Sequence, residues 1–234
     1  MQAVRLLFGK SGGKIQVGGT VQLIPPNSIV FTHHDIVPCG TNSDLQSFEF
    51  YPADFQQLYA DIVELLGVTH ETIFWRAPIR MMKARNEVIV ALELLAKGTP
   101  TVLLHFAYIY CLGVDRCYFS ALLQQIISGD KFFFDFIEEN ALNQWSVARY
   151  ASELNIPLHK FNLLFQEKYG SSAKRWLLER RLTHARGLLL STPMRVLDIA
   201  LECGFSNHGH FNQSFRKRYL CNPTQFRLSM QAYK

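Results

Sequence analysis

The strongest constraint on how this chain folds is a helical pattern that occurs twice in its last third. In each copy a short helical segment leads through a turn into a longer amphipathic segment, first over residues 145–169 and again over residues 196–219. Apolar residues at helical spacing predict one long helix, roughly Ser172 to Ser191, between the two copies. The pattern therefore predicts two helix-turn-helix units in tandem, called motif 1 (145–169) and motif 2 (196–219) below.

Small residues stand where such units need them. Ala151 in motif 1 and Ala200 in motif 2 allow the two helices of each unit to approach closely. Gly204 occupies the turn of motif 2, where a tight turn requires a positive φ. Each unit therefore has the local residues that its predicted geometry demands.

A longer series of motifs, running from Lys131 to Arg227, surrounds these units. The series is Leu154, Phe161 and Phe165, then Arg181-Leu182, Ala185 and Leu189-Leu190, then Ile199-Ala200, Gly204-Phe205, Phe211, Phe215-Arg216-Lys217, Pro223 and Phe226-Arg227. In this order and spacing it resembles the signature of the AraC/XylS transcription regulators. The resemblance implies an all-α DNA-binding domain in a cytoplasmic bacterial regulator, an activator that contacts promoter DNA and RNA polymerase. Two such units in one polypeptide can contact two major-groove segments without a partner subunit.

Three residues depart from the family pattern. Pro157 replaces the usual serine that caps the second helix of motif 1, and Leu163 is apolar where the family often has a polar side chain facing the bases. Leu220 stands where glycine commonly ends the second helix of motif 2. These three departures motivate an alternative function, an effector- or protein-binding adaptor whose DNA domain binds without strong sequence preference.

The apolar anchors of each second helix predict which side chains face away from the core. Phe161 and Phe165 are four residues apart in motif 1, as are Phe211 and Phe215 in motif 2. Amide side chains can bond adenine bidentately, and lysine and arginine hold phosphates. The predicted base contacts are His159, Asn162, Gln166, His208, Asn212 and Gln213, and the predicted backbone contacts are Lys160, Ser206, Arg216, Lys217 and Arg227.

Charge is unevenly distributed along the chain. Residues 131–234 hold 15 Lys/Arg and 8 Asp/Glu, a net charge of +7, whereas residues 1–130 carry −2. A basic C-terminal half suits a polyanionic partner. Ser128-Gly129-Asp130 is a cluster of helix-breaking residues just before this half, so we expect domains over 1–128 and 129–234.

The N-terminal half begins with short strands separated by turns and continues as helices, so the predicted class is α+β, mostly α. Residues 9–13 look like a hairpin connection, and residues 18–27 resemble the cupin-like element of AraC/XylS sensing domains. Residues 52–127 are predicted to be helical, with Met81 in one of the apolar stripes. We expect a reduced cupin-like module and a helical region that supports dimerisation or binds a small-molecule or protein effector.

Several other site classes are disfavoured. His33-His34-Asp35 with Cys39 lacks metal-ligand spacing, since adjacent strand residues point to opposite faces. His208 and His210 are two residues apart on a helix and do not face each other. Gly9-Lys10-Ser11 lacks the earlier glycine of a phosphate loop. No catalytic set is recognisable, so we expect neither an enzyme nor a cofactor.

Three further patterns bear on the cellular compartment of the protein. Residues 98–114 are uncharged but contain His105, Pro100 and two glycines, which favours a buried or subunit-interface helix over a membrane span. The five cysteines form no C-x-x-C pair, so free thiols in a reducing cytosol are expected. The start of the chain has no long apolar run, so no signal peptide is predicted.

Overall fold

The computed structural model describes residues 3–17, 19–33, 36–39, 44–67 and 79–231, without the side chains of 36–39, 230 and 231. The chain forms two compact units. The N-terminal unit is Met1–Lys131 with Glu167–Gly170, and the C-terminal unit is Phe132–Gln166 with Ser171–Lys234. The domain limits 1–128 and 129–234 stay a prediction.

The strands of the N-terminal unit lie in two antiparallel sheets. The strands are β1 (Val4–Gly9), β2 (Gly13–Val17), β3 (Thr20–Ile24), β4 (Ser28–Thr32), β5 (Ile36–Cys39), β6 (Gln46–Phe50) and β7 (Ile79–Lys83). One sheet has the order β6-β1-β4-β7 and the other the order β3-β2-β5. Buried side chains of both sheets, Leu7, Ile15, Ile24 and Val30, pack into one cluster. The two sheets therefore share a small core.

The predicted hairpin over residues 9–13 is wrong. β1 pairs with β4 and β6, while β2 pairs with β3 and β5, so residues 9–13 cross from one sheet to the other. The Asp44 carboxylate accepts hydrogen bonds from the backbone N–H groups of Lys10 (3.0 Å) and Ser11 (2.9 Å). Gly12 has φ +72, and a Cβ there would collide with the backbone of Ile24 and Pro25. The crossing is held by contacts distant in sequence.

Two strands were missed by the sequence pattern. Apolar spacing predicts a helical stripe that includes Met81, but Met81 lies in β7, where it pairs with Val30 of β4. The pattern also gave no strand at β5, which pairs with β2. His33 follows β4 directly, and the neighbouring His34 and Asp35 of the disfavoured metal set lie outside the described residues, as does Gly18 of the cupin-like element.

In the described ranges, four helices complete the N-terminal unit and cover its larger core. They are α1 (Pro52–Ile62), continued by a 3-10 turn at Val63–Leu65, then α2 (Asn86–Leu95), α3 (Pro100–Val114) and α4 (Arg116–Ile127). Phe31 of β4, Phe55 of α1, Tyr108 of α3 and Phe119 of α4 meet edge to face with ring centres 5.4–5.9 Å apart. The helix over 98–114 is confirmed as α3, buried on one side only. No helix in the described ranges is long and apolar enough to cross a membrane.

The remaining described helices, which lie almost entirely in the C-terminal unit, confirm the tandem pattern. They are α5 (Lys131–Asn140), α6 (Val147–Glu153), α7 (Leu158–Tyr169), α8 (Ala173–Ser191), α9 (Val196–Glu202), α10 (His208–Tyr219) and α11 (Pro223–Gln231). Motif 1 is α6 and α7, motif 2 is α9 and α10, and α8 is the long helix between them. Ala151 and Ala200 are buried, and Gly204 has φ +76, as the turn requires.

The described thiols are all free. Cys111 and Cys203 are buried, Cys221 is half-buried and Cys117 is exposed. Burial raises the pKa of Cys203 to about 12 and the pKa of Cys111 further. Both buried groups therefore stay protonated and unreactive near neutral pH, because the thiolate is the reactive form.

Candidate nucleic-acid interface

Helix α10 is fixed by its aromatic face. Phe211 and Phe215 are both 0% exposed and their rings lie 5.7 Å apart. Phe205, from the turn, packs 5.0 Å from Phe211, and Phe226, from α11, packs 5.6 Å from Phe215. Burying a side chain of this size stabilises the fold by about 1.5–3 kcal/mol. The rotation of α10 about its own axis is therefore set, and its opposite face points to solvent.

That solvent face carries the predicted base contacts of motif 2. His208 and Gln213 are exposed and Asn212 is half-buried. The Asn212 amide donates to Nδ1 of His208, one turn earlier, over 3.3 Å. Asn212 Oδ1 and His208 Nε2 remain available for other partners. The pair presents an acceptor beside a donor, the combination that the edge of a base requires.

A concavity of about 780 Å³ runs along the same face. It is lined by Val196, His208, Asn212, Gln213, Arg216, Lys217, Asn222, Pro223 and Thr224. Arg216 and Lys217 are exposed and form no ion pair within the described part of the chain, whereas Arg218 donates to Glu179 of α8 at 2.7 Å. The two available cations and the start of α11 face one groove, which suits a phosphate backbone.

Helix α7 repeats the arrangement in motif 1. Phe161 and Phe165 are 0% exposed, with Phe133 of α5 6.0 Å from the first and Trp176 of α8 5.8 Å from the second. The side chains that face away from this cluster are exposed: His159, Lys160, Asn162 and Gln166, together with Leu163. His159, Asn162 and Gln166 recur at spacings of three and four and so share one face of the helix.

Comparisons with known proteins identify this domain. A family model described as a helix-turn-helix domain matches residues 150–229. The virulence regulon transcriptional activator VirF of Yersinia enterocolitica is 44% identical over 94 residues, 40% of this chain and 35% of that protein. The regulator ExsA of Pseudomonas aeruginosa is 40% identical over 92 residues, 39% of this chain and 33% of that protein. The C-terminal domain belongs to the AraC/XylS family.

The family model covers residues 150–229, which lie in the C-terminal half of the chain. The chain spans about a third of the length of VirF and ExsA. A crystal structure of a probable AraC family transcriptional regulator from Rhodopseudomonas palustris is 30% identical, covers 41% of this chain and 91% of that chain, and superposes with a TM-score of 0.36. That score is too low to add to the sequence comparisons.

Two predicted backbone contacts of the AraC/XylS domain lie away from the α10 groove. Ser206 is exposed but lines a separate concavity of about 450 Å³ with Trp145, Ser146 and Lys174. Arg227 departs from its predicted role. Its Nη1 donates to the Met194 carbonyl at 2.7 Å, its Nε to the Leu189 carbonyl at 3.3 Å, and its Nη2 is buried. The guanidinium joins α11 to the end of α8 and to the segment that follows it, so two of its nitrogens are engaged within the domain and a third is buried.

The three departures from the AraC/XylS pattern have distinct structural outcomes. α7 begins at Leu158 directly after Pro157, so no side-chain hydroxyl caps its first turn. Leu163 is 69% exposed on the face that carries Asn162 and Gln166. Leu220 ends α10 with φ +62, the left-handed conformation in which glycine is unstrained.

Sequence reasoning missed two polar residues of the groove, Asn222 and Thr224. Asn222 Oδ1 accepts from the N–H of Gln225 at 2.8 Å, and Gln225 Oε1 accepts from the N–H of Asn222 at 3.2 Å. This reciprocal pair is a capping box. The order Asn-Pro-Thr-Gln at 222–225 was the available signal, since it places a capping residue three positions before a glutamine. Within the described ranges no group of three metal-ligating side chains comes together.

Proposed function

We propose that this protein is a sequence-specific transcription activator that contacts two major-groove segments of promoter DNA with α7 and α10. The main support is that both helices bury an aromatic face and expose a polar one, within the AraC/XylS domain. The net charge of +7 on residues 131–234 favours association with a phosphate backbone. VirF, by its name, is a transcriptional activator.

We assign base contacts in motif 2 to His208, Asn212 and Gln213, and phosphate contacts to Arg216 and Lys217. In motif 1 the base contacts are His159, Asn162 and Gln166, with Lys160 on the backbone. Since Leu163 occupies the centre of the α7 face, α10 carries more of the discrimination. Loss of a good side-chain contact to a base costs about 1–3 kcal/mol of discrimination.

The test starts by selecting bound duplexes from a random library and measuring affinity for the selected and for random duplexes. We expect Asn212→Ala with Gln213→Ala to reduce the preference for the selected duplex while weak binding to random DNA persists. Lys217→Ala should weaken both about equally. Lys97→Ala removes the same charge from an exposed site in the N-terminal unit and is the matched control.

Two outcomes would contradict the assignment. If His159→Ala and Asn162→Ala abolish the preference while the Asn212/Gln213 double variant behaves like the parent, the contacts belong mainly to α7. Equal affinity of the parent protein for selected and random duplexes would instead support an adaptor with non-specific DNA binding, as Leu163 and Pro157 suggest.

The activator role extends the proposal to RNA polymerase as a partner. Its support is the resemblance to the AraC/XylS family and the names of the relatives. Transcription reconstituted with purified bacterial polymerase, on a template carrying the selected duplex upstream of the start site, tests it. More transcript with the protein than without supports activation, and less transcript indicates repression.

We also propose that the N-terminal unit pairs with a second copy through α3. The exposed face of this helix presents Val102, Phe106 and Ile109 at helical spacing, 51%, 37% and 42% exposed. Phe106→Glu should shift sedimentation from dimer to monomer, whereas Val21→Glu, at an exposed apolar position on β3, should not. Sedimentation as a monomer by the parent protein would refute the pairing.

We also propose that the two sheets form a reduced cupin-like sensing module, because residues 18–27 resemble the cupin-like element of AraC/XylS sensing domains. The fold supports this with two antiparallel sheets that share a core. A thermal-shift screen of small molecules tests for an effector. A hit should raise the unfolding temperature of the whole protein and change its affinity for the selected duplex, and a hit without the second effect would contradict an effector role.

A further inference from the structure

The connection between α5 and α6, residues 141–146, lies at the point where both motifs meet α8. Arg181 of α8 donates from Nε to the carbonyl of Ala141 at 3.1 Å and from Nη2 to the carbonyl of Asn143. A planar guanidinium can hold two carbonyls two residues apart, which a lysine ammonium cannot do with the same geometry. The connection is thereby fixed to α8.

The turn of motif 2 packs against the same connection, next to Arg181. Gly204 is buried, and a Cβ built on it would overlap the carbonyl oxygen of Leu142 and come within 3.3 Å of Arg181 Nε. The turn therefore touches the connection backbone to backbone. Glycine at 204 is needed for this approach as well as for its φ of +76.

Motif 1 is attached by its first helix to Asn140, the last residue of α5, directly before the connection. The Tyr150 hydroxyl of α6 donates to the carbonyl of Asn140 at 2.5 Å. Within the connection, the Trp145 N–H donates to the carbonyl of Asn143 at 2.7 Å, so this carbonyl accepts from both Trp145 and Arg181. The backbone of residues 140–143 thus contacts motif 1, α8 and motif 2.

Helix α8 packs directly against motif 2. Leu182, Ala185 and Leu189 of α8 share a core with Ile199 and Phe211 of motif 2. Arg181 precedes that row and reaches the connection on the motif 1 side. It is half-buried, and its two acceptors are backbone carbonyls whose positions depend on no rotamer.

We propose that Arg181 and Gly204 clamp residues 141–143 and thereby set the separation and angle of α7 and α10, which determine the spacing between two DNA segments that this protein accepts. Arg181 acts as a positioning residue and touches no base. This inference rests on the proposed function, because it assumes that both helices bind one duplex. It adds a determinant of specificity that lies outside the two DNA-facing helices.

The experiment compares the selected duplex with duplexes that carry one extra base pair between the two segments. Such an insertion rotates one segment by about 34° and moves it by about 3.4 Å. We expect the parent protein to lose at least about tenfold in affinity, since simultaneous engagement of both segments is lost. Arg181→Ala should reduce this spacing penalty to about threefold or less, with binding to a duplex holding one segment changed less than about twofold.

Arg180→Ala is the matched control. Arg180 is the neighbouring residue on α8 and bonds the exposed Glu138 side chain of α5 at 2.5 Å, so the same side chain and charge are removed without touching residues 141–143. Its spacing penalty should equal that of the parent. Arg181→Lys retains the charge but not the planar guanidinium with its two donating nitrogens. Its spacing penalty should lie between that of the parent and that of Arg181→Ala.

Each outcome decides a separate point. A folded Arg181→Ala protein with the parental spacing penalty overturns the proposal, as does an equal loss of single-segment and two-segment binding. If the variants do not fold, the parent protein still tests the idea, because tolerance of the insertion within about twofold would show that the motifs are not held at a fixed separation. Failure of the parent to prefer selected over random DNA would refute the proposed function itself.

Discussion

At the scale of single residues, Leu220 is the clearest case of a position that works against local stability. It has φ +62, which costs a residue with a Cβ roughly 1–2 kcal/mol. Its side chain is 89% exposed, so little packing compensates for that cost. The sequence already marked this position as unusual, and the structure supplies the reason.

Leu220→Gly should therefore stabilise the protein. Relief of the left-handed strain exceeds the added backbone freedom of glycine in the unfolded chain, for a net gain of about 0.5–1 kcal/mol. Denaturant unfolding followed by circular dichroism measures the change. Leu220→Ala removes the same side chain without relieving the strain and should give no gain. A gain of equal size in both variants would show that exposure of leucine, and not φ, was the cause.

At the scale of elements, the start of α10 depends on one side chain. Asn207 Oδ1 accepts hydrogen bonds from the N–H groups of Gly209 at 2.7 Å and His210 at 3.2 Å. These groups would otherwise lack partners in the first turn. The cap therefore holds the turn that presents His208 to the groove.

Asn207→Ala should lower the free energy of unfolding by about 1 kcal/mol and weaken binding to the selected duplex more than binding to random DNA. Ser146→Ala, at the cap of α6, breaks a longer bond of 3.3 Å to Arg149 N–H and should cost less. Thermal unfolding of both variants shows which substitution destabilises the protein more. The reverse order would contradict the importance of the cap geometry.

Elements whose signals lie within a few residues of one another could be predicted from the sequence. Elements that depend on contacts between residues far apart in the chain could not. The helices of both motifs follow from apolar spacing, small residues and turn residues within a few positions of one another, and their predicted extents are confirmed. The pairing of β1 with β4 and β6 depends on contacts up to 46 residues apart, such as Val4 with Phe50. Met81 fits a helical stripe equally well, and only its pairing with Val30 in the sheet distinguishes the two states.

In the interface, too, features set by nearby residues could be predicted and features set by distant residues could not. Exposure of His159, Asn162, Gln166 and Gln213 followed from the burial of phenylalanines one turn apart. The internal role of Arg227 did not, because its acceptors, the carbonyls of Leu189 and Met194, are 38 and 33 residues away in sequence. Arginines in the same domain thus differ in role for reasons that only tertiary structure reveals.

At the scale of the whole molecule, the net charge of +7 on residues 131–234 predicts that the affinity for DNA falls as the salt concentration rises. Each phosphate neutralised contributes a slope of about −0.9 in log K against log salt, and several Lys/Arg contacts should give a slope steeper than about −3. Lys217→Ala should make this slope shallower by the contribution of about one phosphate contact. Fluorescence anisotropy at several salt concentrations measures it. A flat dependence would contradict DNA binding.

Residues 129–234 should fold and bind the selected duplex without the rest of the chain. The aromatic clusters that hold α7 and α10 are made by residues of the C-terminal unit. The fragment should lose self-association, since α3 is absent. Circular dichroism and anisotropy test the two statements. A folded fragment with no preference for the selected duplex would show that the predicted domain limits are wrong.

The two DNA-facing helices of one chain are not copies of each other. α7 presents His159, Asn162, Leu163 and Gln166, and α10 presents His208, Asn212 and Gln213. A site that matches both in order has a direction, unlike the palindrome of a symmetric dimer. Under the proposed function, inverting such a site in a promoter turns the bound protein end for end. Orientation of the site is then part of the information that the promoter carries.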